Sequence, residues 1–186
     1  MSETVVDELP SFLRKQRENP TVLHTRTVMK GNNTPESLTG TIYKPEDFTT
    51  NEYLARLKEK IPAKNIPRNK KELFNSVLFE LREELPKDII LATNEWIDLD
   101  YLVYEKEPRT ALKAYVCPGG FLSHGALILR EQLKNVDLPD GFAVLGSIRT
   151  RLLESGNSVE IDLSKHGEAT LKVTPKEAKT PELVKV

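Results

Sequence analysis

Disulfide chemistry within the chain is closed off, because its 186 residues include a single cysteine, Cys117. A cross-linked secreted scaffold is thereby excluded, and a reducing, cytoplasmic setting is the expectation. Long apolar runs are also missing. Stretches such as Ala126 to Leu129 and Phe142 to Leu145 fall far short of the roughly 20 residues that span a bilayer, so no contact with the membrane interior is expected. Net charge is nearly absent. With 27 Lys and Arg against 28 Asp and Glu, nothing pulls the whole molecule toward nucleic acid or anionic lipid, and either would need a local patch. The opening Met-Ser-Glu-Thr-Val-Val-Asp-Glu is acidic and lacks the apolar core of a secretory signal or the arginine-rich pattern of a transit peptide. The histidines, His24, His124 and His166, show neither H-E-x-x-H nor zinc spacing, and no Walker lysine or G-x-G-x-x-G occurs. No metal or cofactor is therefore expected.

What is present reads as one α+β core with flanking segments. Residues 1–42 hold scattered apolar positions, three prolines and a polar run at 31–37, which suits an extended N-terminal arm. Within it, Pro10 to Glu18 fits a short helix and Val22 to Met29 an edge strand. Residues 43–174 form the expected core. A helix begins near Thr49, with Thr49 and Glu52 as a capping box and Phe48 with Tyr53 as its hydrophobic staple. A second begins at Asn69, with Leu73, Phe74, Val77, Leu78, Leu81 and Leu85 at helical spacing before Pro86. Asp88 to Thr93 and Ala111 to Cys117 are short apolar runs that suit buried strands. A third helix starts at Ser123, stapled by Leu122 and Leu127, and residues 142–154 place Leu145, Ile148 and Leu152 at helical spacing for a fourth, a strand over Phe142 to Leu145 being the alternative. Val159, Ile161 and Leu163 alternate, as do Ala169, Leu171 and Val173, across a turn at Lys165-His166-Gly167, which predicts a C-terminal β-hairpin. Residues 175–186 read as a flexible tail. Together these predict a single compact α+β domain of three to four helices, short buried strands and a terminal hairpin, with no internal repeat.

Four features are candidates for function, and each has an ordinary structural reading beside it. Cys117 ends an apolar run before Pro118-Gly119-Gly120 and a helix start, a setting that stabilises a thiolate. His124 or His166 would then serve as base and Glu168 or Asp162 would orient it, giving a small cysteine-dependent hydrolase or transferase. A lone cysteine closing a strand is, in the ordinary reading, a small buried hydrophobe. The Pro118-to-Gly125 segment also fits an anion cradle, against an ordinary tight turn with Ser123 as helix cap.

Lys58, Lys60, Lys64, Arg68, Lys70 and Lys71 carry a local charge of +5 with Glu59 as the sole internal acid. They suit phosphate backbones or an acidic partner, whereas a solvated loop is the plain alternative. Glu95, Asp98, Asp100, Glu105 and Glu107, offset by Lys106, give −4 beside Trp96, Tyr101 and Tyr104. Acid and aromatic together suit a protein-binding surface, although aromatics also simply fill cores. No catalytic constellation closes in the sequence. The leading expectation is accordingly a non-enzymatic interaction or structural subunit, docking through its arm and Trp96, Asp98, Asp100, Tyr101 and Tyr104. The partner would be another protein or a second copy.

Overall fold

A computed structural model describes residues 21–94, 112–119, 124–132, 138, 140–147 and 150–176. Among them, seven strands close on themselves into a barrel and three α-helices lie against its outside. The elements in chain order are β1 (Thr21–Lys30), β2 (Ser37–Tyr43), α1 (Asn51–Lys60), α2 (Lys70–Glu80), β3 (Ile89–Ala92), β4 (Leu112–Pro118), α3 (His124–Gln132), β5 (Ala143–Ser147), β6 (Ser158–Asp162) and β7 (Glu168–Thr174). Around the barrel the order is β1-β5-β4-β3-β2-β6-β7.

The barrel is mixed. Strands β2, β3, β4 and β5 run parallel to one another, so each step between them needs a crossover, and α1 with α2 makes the one from β2 to β3. Strands β6, β7 and β1 complete the ring through antiparallel pairings, including β2 to β6 and β1 to β5. Because the helices cover the parallel strands, β3 is buried at all four positions. Its side chains divide between two cores. Ile90 and Ala92 point inward with Leu23, Leu38, Ile42, Val116, Leu145, Ile161 and Leu171, which fill the barrel. Ile89 and Leu91 point outward with Tyr115, Cys117 and Val144, against Leu57, Phe74, Val77 and Leu81 from the helical layer. Phe48 is the hub of that layer, with ring centres 5.4 Å from Tyr43, 5.7 Å from Tyr53 and 5.9 Å from Phe74.

The expected α+β domain with short buried strands and a terminal hairpin is corrected by this closure. The apolar alternation at 159–163 and 169–173 is real, but β6 and β7 are no free-standing hairpin: β6 also pairs β2, and β7 also pairs β1. Of the segment expected as an extended arm, residues 21–42 lie in wall strands or the turn between them: the strand expected over Val22 to Met29 is β1, paired on both sides and so not an edge, and β2 follows it. β1 bonds β7 through residues 21–26 and β5 through residues 26–30, with a bulge between Thr27 and Met29 that lets one strand serve both neighbours. The expected boundary at residues 42–43 falls inside β2. The helix read over 142–154 is instead β5 followed by a single 3-10 turn at Thr150–Leu152. Ala143, Val144 and Leu145 are all fully buried, and a strand covered on both faces carries no alternation to betray it.

Local signals fared differently. Asn69 caps α2, its side chain accepting from Lys71 N–H at 2.8 Å, as the sequence predicts. α1 begins one residue later than its capping box implied, with Thr50 as N-cap. Thr49 donates its hydroxyl to the Glu46 carbonyl at 3.2 Å and closes the preceding 3-10 turn instead. Leu127, expected to staple α3, is exposed at 42%. No helix among the described residues is long and apolar enough to cross a membrane.

Gly40 is where the barrel wall tolerates nothing larger. A Cβ there would sit 2.4 Å from the Asp88 carbonyl oxygen and 2.8 Å from Ile90 Cγ1, so any side chain forces β2 from β3. Gly40→Ala is expected to cost about 1–3 kcal/mol in denaturant unfolding, while Glu160→Gln on the exposed face of β6 should stay within about 0.5 kcal/mol. Equal midpoints for the two variants would contradict the close approach.

Candidate functional site

Parallel strands all end on the same side, and open α/β sheets bind ligands beyond those carboxyl ends because loops and unpaired backbone groups collect there. Here the ends are Tyr43, Ala92, Pro118 and Ser147. A polar cluster sits among them. Thr93, 2% exposed, shares a hydrogen bond with the Tyr115 hydroxyl at 2.9 Å. Thr150, 5% exposed, donates its hydroxyl to Asn94 Oδ1 at 3.2 Å. Lys44 Nζ donates to the Thr150 carbonyl, also at 3.2 Å. Lys44 is half-buried, and this loss of water holds its amine below the ordinary lysine range despite the opposing pull of Glu46 and Asp47. None of these residues stands out in the sequence, because their meaning depends on strands β2 to β5 being parallel. Thr93 and Asn94 at the end of an apolar run were the nearest available signal.

Cys117 lies at the same end of the barrel but faces the outer core. It is fully buried, its thiol donates to the Leu145 carbonyl at 3.2 Å, and burial pushes its pKa up to about 12. That is opposite in direction to a thiolate nucleophile. Cys117 pairs with Gly146, Gly146 with Arg26, and Arg26 with Glu168. Three strand steps, about 14 Å along the wall, therefore separate Cys117 from Glu168. His166, in the turn before β7, and Glu168, the first residue of β7, are both exposed. Asp162, also exposed, accepts from Ser164 N–H at 2.9 Å, and its bonds to Ser164 hold the carboxyl below its usual range. His124 opens α3.

The six cations are placed together by α1, the 3-10 turn at Ala63–Asn65 and α2. All six side chains are exposed. Lys60 meets Glu84 at 3.1 Å, while Lys58, Lys64, Arg68, Lys70 and Lys71 make no ion pair among the described residues. Lys58 and Lys60 complement the negative end of α1. Lys70 and Lys71 do the reverse, placing two positive charges on the positive end of α2, where only Glu72 offsets them. Trp96, Asp98, Asp100, Tyr101 and Tyr104 lie outside the described residues.

A shallow groove of about 330 Å³ opens on the wall of β2, β6 and β7, lined by Thr39, Thr41, Asp88, Ser158, Glu160 and Lys172. Thr41 donates its hydroxyl to Asp88 Oδ2 there at 3.3 Å. Among the described residues no group of three His, Cys, Asp or Glu side chains is arranged to hold a metal ion.

The Cys117 thiol sets two measurable expectations. With its pKa raised from 9.0 to about 12, native protein at pH 8 holds about a thousandfold less thiolate than the unfolded chain. Reaction with a disulfide reagent should slow by a comparable factor and recover in denaturant. The raised value also means that the buried thiol's contribution to stability is complete below about pH 9 and is lost as pH rises from 9 toward 12, because only the unfolded state releases the proton there. Equal labelling rates in native and unfolded protein would contradict this burial.

Neither a scan against protein-family models nor a search of curated proteins finds a match to this chain.

Proposed function

We propose that this protein is a non-enzymatic interaction subunit whose barrel is a rigid scaffold for charged docking surfaces. The observation that supports this reading is the helical face of α1 and α2, with six exposed cations of which five make no ion pair among the described residues. Two of them stand at the helix end where positive charge is disfavoured, by about 0.3–1 kcal/mol each. An external acidic surface removes that penalty. The barrel interior is filled by aliphatic side chains of the described residues, which directs recognition to the outside.

The same chain carries a complementary stretch. Residues 95–107 are acidic and include Trp96, Tyr101 and Tyr104, the residue types that anchor protein interfaces, and opposite charge steers such surfaces together. Docking between copies, acidic-aromatic residues of one against the cations of another, is the reading we favour. Residues 1–20, which precede β1, are a further docking element in this proposal. Phosphate backbones are the second reading, favoured specifically by Lys70 and Lys71 at the N-terminus of α2.

The test is light scattering across a salt series. The expected outcome is assembly at low ionic strength that weakens as salt screens the exposed charges, and a Lys64→Glu, Arg68→Glu, Lys70→Glu triple variant that stays monomeric throughout. Removing residues 1–20 from the wild-type chain should also reduce assembly. A wild-type chain that is monomeric at every salt concentration, or a charge-reversed variant that assembles unchanged, would contradict the proposal. Salt-sensitive binding of duplex nucleic acid by a monomeric chain would favour the second reading.

A further inference from the structure

The cluster at the carboxyl ends of the parallel strands has an unbalanced chemistry: its carbonyl acceptors at Thr150 and Asn94 are engaged internally, while donors on Lys44 and Asn94 are left over. The Thr150 carbonyl accepts twice, from Leu153 N–H at 3.0 Å and from Lys44 Nζ at 3.2 Å, which uses both of its lone pairs. The Asn94 carbonyl oxygen accepts the Thr150 hydroxyl. That bond fixes which way the amide faces and turns its NH2, with two donors, away from Thr150. Asn94 is exposed, so this amide end is open to a ligand. The Lys44 ammonium has three donors and gives one to Thr150. No carboxylate among the described residues pairs with it, and Asp47 Oδ2 is taken by the Lys44 backbone N–H at 2.6 Å.

We propose that this end of the barrel binds a small oxyanion, a carboxylate or a phosphate, through the Lys44 ammonium and the Asn94 amide, both held in place by Thr150. A ligand made only of acceptors is what a set of oriented donors recognises. Thr150 is the positioning residue. It is nearly buried, anchored in a 3-10 turn, and bonds one donor residue through its hydroxyl and the other through its carbonyl. Partial burial strengthens the attraction, since a charge shielded from water acts through a lower effective dielectric. The depressed Lys44 amine has the same origin: burial removes water from the cation by more than the nearby Glu46 and Asp47 charges compensate. The location agrees with where parallel strands place ligands generally. This site lies apart from the α1–α2 cation surface and stands or falls independently of the docking proposal.

The experiment is a nuclear magnetic resonance titration of the full chain with inorganic phosphate and, separately, acetate. Saturable shifts at the Asn94 side-chain NH2, the Thr150 amide and Lys44 are expected with at least one probe, and the probe that binds more tightly names the ligand class. Lys44→Gln should weaken binding about tenfold, the scale of one charge-assisted hydrogen bond, while Lys44→Arg should keep it within about threefold, since it retains the charge. Thr150→Val, which removes the hydroxyl that orients Asn94, should weaken binding with the charge intact. Shifts confined to residues 58–71, no shift with either probe, or binding undiminished in Lys44→Gln would each overturn the proposal. The wild-type titration decides the matter even if a variant fails to fold.

Discussion

Everything in this molecule hangs on strands that are apolar on both faces. Ile90 and Ala92 look into the barrel while Ile89 and Leu91 look out at the helices, and the same division runs through β4, with Ala114 and Val116 inward and Tyr115 and Cys117 outward. Two cores are thereby built from one set of strands. The inner one is closed by antiparallel strands β1, β6 and β7; the outward positions of β6 and β7 are polar, while β1 turns Val28 into the outer core. The outer one is closed by α1, α2 and α3, because parallel neighbours require long connections and those connections bring helices. Closure also removes the free edges that an open sheet of this composition would present.

That constraint decides where function can reside. The barrel lumen is occupied by side chains, so it is a core and not a channel, as expected for a ring of this size. What remains is the outside and the two ends. On the helical side the chain exposes cations that its described residues do not neutralise, and at the carboxyl ends it exposes oriented donors around Thr150. Cys117, the most chemically suggestive residue in the sequence, is drawn into the outer core because β4 must be apolar on that face. Its thiol is packed, bonded to a carbonyl and held protonated, which are the properties of a packing residue.

How much was legible follows from how far each signal reaches. The Asn69 cap and the Phe48–Tyr53 packing are decided within a few residues, and both could be seen in the sequence. The alternation in β6 and β7 was equally plain, but alternation names a strand and not its partners. β1 pairs with strands more than a hundred residues away, and nothing in its own pattern distinguishes an arm from a barrel stave. β5 was visible only as the alternative reading of Phe142 to Leu145, since Ala143, Val144 and Leu145, buried on both faces, show no period of two to outweigh the helical spacing of Leu145, Ile148 and Leu152. The parallel arrangement was invisible for the same reason, and with it the site around Lys44, Asn94 and Thr150. The cation cluster was legible because charge density along a short segment survives any fold that keeps the segment on the surface.

Zero-length cross-linking between isotopically distinct copies of the chain tests the central claim most directly, because it joins only amines and carboxylates that touch. The account predicts links between copies that connect Lys64, Lys70 or Lys71 to Asp98 or Asp100, and their disappearance at high salt. Links found only within single copies, at every protein concentration, would contradict it.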